Sequence, residues 1–427
     1  MCDRPYEGRT LVVLGSMDEF VALVKLAQGM GAHVIVCDGY ANGPAKPIAD
    51  EAYTIDIRDT NAIAQLCQDH KADAIVTAYS DLLAECQSAI ATKAGLRTPL
   101  PPERLRFLRD KTLMKQMFSE LGIPYPKSVE VHRATAATDL AKVGFPCVIK
   151  PTDAYGSHGV YLLDSVDEVM ERFDDTAFYS DSDVIVAEAY DDGHEFNMMS
   201  WIVDGEPHVL SIEDREKSHE IEHVTPHVSR IVYPSRLTDV VENEATKILS
   251  EVAHYVGLQN GPLCMQFFWS RERGVQVCEC AGRIFGYEHE LLQLSSNNEV
   301  SIERLLLAWA FEPESMASIL RNHSSHLPRC AAGLYFHGYE GVVSKIQGLP
   351  QTGDPGVADV LRYYAPGDVI SHAVGAKPYV ARVYLVGDTR QEVDEATLRI
   401  FRSAKVLDSD GRNLLYNSEI GTYEDAR

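Results

Sequence analysis

The sequence predicts an α/β protein: a Rossmann-like N-terminal parallel sheet with helices on both faces, followed by α+β stretches. Three observations support this. Residues 10–98 alternate short apolar runs (LVVLG, HVIVCD, AYTIDI, AIVTA) with helical patterns, the rhythm of a doubly covered parallel sheet. Residues 145–163 and 260–286 each hold two apolar runs joined by a polar or glycine-containing turn, as antiparallel strand pairs do. From Arg329 onward AAGLYFHGYEG and KPYVARVYLVG read as strands, and Thr389-x-x-Glu392 forms a capping box that opens a helix toward Val406. The 427 residues suffice for roughly three packed units and a large core. The expected divisions are 1–98, 99–183, 184–326 and 327–427, with Pro99, Pro101 and Pro102 marking the first boundary.

Charge and composition narrow the partners. A net charge of −24 argues against a nucleic-acid backbone, although a local cluster of Lys and Arg can still hold a small anion. No apolar run reaches membrane-spanning length, and MCDRPYEGRT carries neither a signal-peptide core nor an Arg-rich amphipathic segment. A cytoplasmic protein with no membrane partner is expected. Nine cysteines scattered through apolar runs read as reduced thiols. Cys278 and Cys280 share one face of a strand-like run with no second Cys or His pair at zinc spacing, so they are expected to pack in the core.

In chain order, helices are expected over 18–30, over 61–70 and up to Lys93. Gly15 and Asp38 invite a dinucleotide-binding interpretation with nicotinamide chemistry, but the turn has one glycine where that fingerprint needs three. The next helix, Asp110 to Leu121, carries Leu113, Met114, Met117, Phe118 and Leu121 on one stripe, with Asp110 as N-cap and Gly122 at its end. Lys111 stands in its first turn, where a cation opposes the helix dipole. It is therefore either solvated or answered by an anionic ligand.

FPCVIKPTDAYGSHGV then runs from a strand (Cys147 to Ile149) through Lys150 and a loop with Gly156 and Gly159 into a second strand, Val160 to Leu163. A lysine ending a buried strand keeps its charge only against an anion, and glycines let backbone N–H groups approach phosphate. A nucleoside triphosphate satisfies both; a surface hairpin with a glycine turn is the plainer alternative. In VIVAEAYDDGHEFNMMSWIVDGE, Val184 to Ala187 and Glu195 to Val203 read as strands, with Glu188 to Tyr190 an extended exit and Asp191 to Gly193 a turn. Glu188 and Glu195 are either solvated carboxylates or acceptors for an adenine amino group and ribose hydroxyls. His219, His223 and His227 have helical spacing, but Pro226 interrupts the helix, which favours a mobile, substrate-facing segment over a zinc site.

GPLCMQFFWSRERGVQVCECAGRIFG reads as a hairpin centred between Glu272 and Arg273, which sets Gln266 across from Glu279. Facing side chains on an antiparallel pair have Cβ atoms about 5 Å apart, close enough for two oxygens to share Mg²⁺ with phosphate and water. Arg283 follows, placed for a phosphoryl oxygen. A salt-bridged hairpin rim is the structural alternative.

Together these stretches resemble the ATP-grasp superfamily from about Leu11 to Phe311. RDKTLMKQMFSELGIPYP resembles its linking helix, FPCVIKPTDAYGSHGV its lysine strand and phosphate loop, EAYDDGHEF its adenine hinge and ribose carboxylate, and CECAGRIFG its metal strand. The run Glu279-Cys280-Ala281-Gly282-Arg283 followed by Gly286 is most similar to the L-amino acid ligases, which join two amino acids through a peptide bond and have a small residue where other members have Asn. Gln266 departs from the Glu usual in that branch and matches the carbamoyl-phosphate synthetases.

The resemblance implies a two-lobed α+β ATP-grasp core, with ATP and Mg²⁺ as cofactors and a small-molecule carboxylate and amine as substrates. Lys111 and Lys150 would hold the α- and β-phosphates, and the loop Ala154 to Gly159 (Gly156, Ser157, His158, Gly159) would close over the γ-phosphate. Glu188 and the Tyr190 backbone would hold adenine, Glu195 the ribose, and Gln266 with Glu279 the metal. Arg283, with Lys150, would act on the transferring phosphoryl group. Rival expectations are a bicarbonate- or formate-activating member and an ATP-binding protein without turnover. A homodimer is the base-rate assembly.

Overall fold

The first four apolar runs form strands β1 (Thr10–Leu14), β2 (His33–Asp38), β3 (Glu51–Thr54) and β4 (Ala74–Val76), all parallel in the order β3-β2-β1-β4. Leu23, Val24 and Ala27 of one helix pack with Val13, Val34 and Val36 on one face. Ile63, Cys67 and Ile90 of the next two pack with Val12, Leu14 and Ile35 on the other. The computed structural model describes residues 4–152, 159–180, 183–217, 227–286, 288–372, 377 and 379–416.

The two residues that invited a dinucleotide interpretation have internal duties. Gly15 has φ +116°, and a Cβ there would stand 2.5 Å from the Phe20 ring. Asp38 accepts a hydrogen bond from Ser16 Oγ at 2.7 Å.

The helix Lys111–Leu121 starts and stops as its sequence dictates. Asp110 accepts from the Leu113 N–H at 3.0 Å, and Gly122 closes the helix at φ +67°. It leads into a four-stranded antiparallel sheet, β5 (Ser128–His132), β6 (Cys147–Pro151), β7 (Tyr161–Leu163) and β8 (Val184–Ala189), ordered β5-β8-β6-β7. Cys147, Ile149, Ile185 and Ala187 turn into a core with Val169 and Phe173 of the helix Val166–Ala177. Alternation therefore turns Lys150 and Glu188 to the opposite face. Glu188 lies within β8, opposite Val148, rather than in the exit expected after Ala187.

The large sheet is antiparallel throughout. Strands β9 (His194–Val203), β10 (Glu206–Lys217), β11 (Val228–Tyr233), β12 (Asn260–Ser270), β13 (Gly274–Ala281) and β14 (Cys330–Phe336) join 381–387 and 357–362 in the order β13-β12-β9-β10-β11-β14-(381–387)-(357–362). The strands after Arg329 thus extend this sheet instead of forming one of their own. Thr389 Oγ1 caps the helix Arg390–Ser403 by accepting from the Glu392 N–H at 3.3 Å. The helix stops short of the expected Val406, a buried β-branched residue that lies on strand Lys405–Leu407 and pairs with Ile346.

The β12–β13 hairpin corrects one expectation while keeping its consequence. Ser270 pairs with Gly274, so the turn centres on Glu272, and that register alone would oppose Gln266 to Cys278. A bulge between Gln266 and Phe267 inserts one residue and restores Gln266 opposite Glu279.

Eight cysteines are described, all free and buried, Cys278 and Cys280 among them, while Cys2 lies outside the described residues. Among the described residues no helix is long and apolar enough to cross a membrane.

Candidate functional site

Lys150 leaves β6 on the face away from the core and donates to Glu188 Oε2 at 2.6 Å. Lys115, one turn after Lys111 on the same helix face, lies 3.0 Å from Glu188 Oε1 and donates to the Cys278 carbonyl at 2.8 Å. Burial alone would push the Glu188 carboxyl up, but Lys115 and Lys150 hold it at about 2. Partial burial likewise works against the Lys150 charge, and Glu188 more than offsets it, so the ammonium sits above the usual lysine range. The Lys111 N–H donates to the Thr152 carbonyl at 3.1 Å, tying the helix start to the end of β6. Desolvation pulls the Lys111 ammonium down, opposed by Glu279 and assisted by Lys150.

The larger sheet contributes a polar row. Cross-strand partners Glu279–Gln266, Gln266–Asn197 and Asn197–Glu213 run over β13, β12, β9 and β10, and partners share a face. On the opposite face Phe196, Met198, Met265 and Phe267 are fully buried, which fixes the strand registers and so the row. Two residues along β9, Glu195 accepts from Arg215 Nε at 2.7 Å and Gln266 Nε2 at 2.6 Å, and its other oxygen pairs with Lys217. Burial raises the Glu195 carboxyl, and Lys217 and Arg215 bring it down to about 2. Because the Gln266 amide donates to Glu195, its carbonyl oxygen is the end left for a ligand beside Glu279.

Arg283 follows β13 and forms a two-point pair with Asp81 at the start of the helix Asp81–Ala94, Nε to Oδ1 at 3.1 Å and Nη2 to Oδ2 at 2.8 Å. Its guanidinium also lies 5.1 Å from the Phe285 ring centroid. The helix Asp81–Ala94, packed on the N-terminal sheet, thereby orients a guanidinium from the far side of β13. Gly286 keeps the two parts close, since a Cβ there would stand 2.9 Å from Glu19 Oε1 and 3.2 Å from the Tyr79 carbonyl.

Lys111 meets the end of β6 through the Thr152 carbonyl, Lys115 ties the Glu188–Lys150 pair to the Cys278 carbonyl beside Glu279, and Glu279 favours the charged forms of Lys111, Lys150 and Arg283. Glu195 and Gln266 join them through their hydrogen bond. The Tyr190 N–H, by contrast, donates to the Pro146 carbonyl at 3.1 Å and is spent there. Gly159, at φ +67°, packs where a Cβ would stand 3.0 Å from Tyr179, and its carbonyl accepts from Thr176 Oγ1 at 2.8 Å. Gly156, Ser157 and His158 lie outside the described residues, as do His219 and His223, while the His227 ring lies 4.0 Å from that of His337. Among the described residues no group of three or more His, Cys, Asp or Glu side chains is arranged for a metal.

Sequence reasoning missed Lys115, Asp81, Asn197, Glu213, Arg215, Lys217 and Glu288. The i, i+4 spacing of Lys111 and Lys115, and the period of two in Glu195/Asn197 and Glu213/Arg215/Lys217, were the available signals.

Residues 143–289, which include Lys150, Glu188, Glu195, Gln266, Glu279 and Arg283, match the ATP-grasp domain family. The chain carries an ATP-grasp domain. Lys111 precedes the matched segment. The formate-dependent phosphoribosylglycinamide formyltransferase of Bacteroides thetaiotaomicron is 30% identical over 167 residues, covering 38% of this chain and 42% of that enzyme. The chain's match thus spans less than half the length of that relative. Among solved structures, the L-amino acid ligase from Bacillus licheniformis superposes with a TM-score of 0.78 at 18% identity, over 94% of this chain and 99% of that one. The biotin carboxylase domain of the Hydrogenobacter thermophilus 2-oxoglutarate carboxylase, in complex with MgADP, ADP and bicarbonate, gives 0.73 at 14% identity, over 93% and 90%. These likenesses show that nearly the whole chain shares its fold with those two proteins.

Proposed function

We propose that this chain is an ATP-dependent carboxylate–amine ligase that activates an acid as an acyl phosphate. The observation that carries this is that Lys115 ties the Glu188–Lys150 pair to the Cys278 carbonyl, one residue from Glu279 and its cross-strand partner Gln266, where Glu279 favours the charged forms of Lys111, Lys150 and Arg283. Three cations and a paired oxygen set around one carboxylate suit a polyphosphate and a hard cation.

Gln266 and Glu279 would hold Mg²⁺, which takes one or two protein oxygens and completes its shell with phosphate and water. When bound, it neutralises phosphate charge. Lys111 and Lys150 bind phosphate oxygens, and Glu188 orients Lys150. Glu188, clamped by two lysines, keeps lone pairs for an adenine amino group. Tyr190 can contribute only its carbonyl, and Glu195 is the ribose acceptor. The substrate carboxylate attacks the terminal phosphorus and ADP departs; an amine then attacks the acyl carbon and phosphate departs. Arg283 stabilises charge on the phosphoryl oxygens in the first step and on the tetrahedral oxyanion in the second.

The test is phosphate release from ATP and Mg²⁺ across amino acids, amino-acid pairs, formate and bicarbonate. Release that needs a carboxylate and an amine is expected, and Lys150→Ala or Glu279→Ala lowers it by at least about a hundredfold. Unchanged turnover in either variant removes the site assignment. The formate-dependent relative favours formate as the rival acid, and dependence on formate with no amino acid would establish it.

A further inference from the structure

Asp81 follows a turn that a chain adopts reluctantly. After β4, the Ser80 N–H donates to the Ala78 carbonyl at 2.9 Å, closing a three-residue turn whose centre, Tyr79, has φ +69°. A γ-turn with positive φ at its centre is the rare, strained form, and a bulky residue persists there only where its surroundings hold it. Here the holding comes from three residues that follow β13. Arg283 grips Asp81 at two points, Gly286 lies against the Tyr79 carbonyl, and the His289 ring stacks on the Tyr79 ring, with centroids 4.4 Å apart and planes at 25°. Phe20 makes a T-shaped contact with the same phenol ring at 5.3 Å. Tyr79 is buried, yet its hydroxyl has no hydrogen-bond partner, so the side chain serves through its ring.

His289 is itself clamped. Its buried ring sets Nε2 3.3 Å from Glu303 Oε1, on the helix Ile302–Phe311, and Nδ1 3.2 Å from Glu290 Oε2. Glu19 faces it from the helical turn Asp18–Phe20. The helix that His289 opens, His289–Ser295, packs on β11, β14 and strand 381–387, which carry Tyr233, Tyr335, Tyr384 and Arg382. Burial keeps those three phenols protonated, and Tyr384 Oη donates to Glu290 Oε2 at 3.4 Å while Arg382 acts on Glu290 from behind it. Two ring nitrogens that each face a carboxylate can both donate only in the imidazolium. Burial works against that charge, and Glu290, Glu303 and Glu19 more than offset it, lifting the imidazole to about 9. Glu303 answers in kind, since burial would raise its carboxyl and His289 with Ser301 holds it at about 2. A cation over a phenol face is drawn by the ring quadrupole, a pull that a neutral ring lacks.

We propose that His289 is a positioning residue for the ligation: stacked as a cation on Tyr79, it locks the strained turn that aims Asp81, and through Asp81 it sets Arg283 for the phosphoryl group. This rests on the ligase function above and adds to it a residue that acts through Asp81 and Arg283. Without the positive charge, Glu303 is a buried carboxylate short of its cation and the stack on Tyr79 weakens. The turn then relaxes and carries Asp81 with it.

The test reads the full chain in two ways. In nitrogen-15 arginine-labelled protein, the Arg283 Nε resonance, assigned by its loss in Arg283→Lys, should move in His289→Gln and Tyr79→Leu and stay in place in Tyr79→Phe, which keeps the ring. In the unmutated chain, where no variant has to fold, the same resonance should shift as pH rises through about 9. The second reading is phosphate release with the acid and amine that the substrate survey above identifies. His289→Gln should lower kcat about fivefold with the KM for ATP changed less than about twofold. Adding Asp81→Asn to His289→Gln should lower kcat no further than Asp81→Asn alone, because both act through one contact. Tyr79→Leu should lose about as much as His289→Gln, and Tyr79→Phe should restore kcat to within about twofold. The ratio of wild-type to His289→Gln kcat cancels ionisation of the substrates, and it should approach one as pH rises past about 9. An Arg283 resonance that ignores His289 and pH, losses that multiply in the double variant, or a kcat ratio independent of pH overturns the positioning role. Absence of carboxylate-dependent phosphate release from the unmutated chain overturns the ligase function instead, and the Arg283 resonance then decides whether His289 governs that side chain.

Discussion

Strand β10 presents two polar faces, and they behave differently. Asp214 and Glu216 point to one side, where Asp214 accepts from His194, Ser235 and Arg390, and Glu216 from Arg230 and Arg390. Asp394, on the helix Arg390–Ser403, completes that network with Arg230, Arg236 and Arg390. Glu213 and Arg215 point to the other side, where Arg215 bridges Glu195 and Glu288 while Glu213 Oε1 and Asn197 Oδ1 have no hydrogen-bond partner. A buried charge network closed on itself binds elements together. The other face keeps buried polar atoms without partners instead of closing on itself.

Arg390→Leu should break this contrast most severely. Removing a cation shared by Asp214 and Glu216 leaves buried carboxylates uncompensated, at a cost of about 3–5 kcal/mol in urea unfolding. Glu213→Gln, two strand positions from Arg215 on the open face, should change stability by less than about 1 kcal/mol near neutral pH, since the amide keeps the shape of a carboxyl whose charged form burial and Glu288 disfavour. Equal losses in the two variants would erase the distinction between the faces.

Asp81→Asn sharpens the comparison from outside the sheet. The amide cannot match the two-point charged pair that holds Arg283, so kcat should fall about tenfold, about 1.4 kcal/mol, with the KM for ATP little changed. An unaltered kcat would remove Asp81 as a positioning residue.

The two kinds of carboxyl also titrate with opposite signs. Glu188 and Glu195 are held at about 2, below their unfolded values, so their contribution is present above pH about 4.5 and lost as pH falls toward 2. Glu213 is raised, so it opposes folding once pH rises above its unfolded value, where only the unfolded chain releases the proton. Melting temperature against pH should therefore show an acid loss common to wild type and Glu213→Gln, and above pH about 5 a decline that is shallower in the variant, where Glu288 and His289 remain. Parallel curves above pH 5 would contradict a raised Glu213 carboxyl. The smallest effect is expected at the edge of the closed network, where Thr389→Ala removes the cap of the helix Arg390–Ser403 and should cost about 1 kcal/mol in urea unfolding.

Much of this was legible in the sequence because it rests on short-range rules. Strand–helix alternation predicted the parallel sheet, Asp110 and Gly122 bracketed their helix, and the Gln266–Glu279 pairing followed from the hairpin pattern. That last pairing held because a bulge compensated a turn centred on Glu272, and no local pattern announces a bulge. IEDREK hid its meaning because both faces of β10 are polar, so hydrophobic alternation could not say which residues turned to the site. What Asp81 and Lys115 touch was illegible for another reason. Their partners Arg283 and Cys278 lie 202 and 163 residues away, and only the fold brings them together.

Ligation run with acids labelled with oxygen-18 in the carboxylate tests the central claim most directly. If the carboxylate attacks the terminal phosphorus and the amine later displaces phosphate, one labelled oxygen must leave with the phosphate, which then gains about 2 mass units per turnover. Labelled phosphate appearing only when ADP is released, and vanishing in Lys150→Ala, is the predicted result. Amine-dependent ADP release with wholly unlabelled phosphate would contradict acyl-phosphate activation at this site.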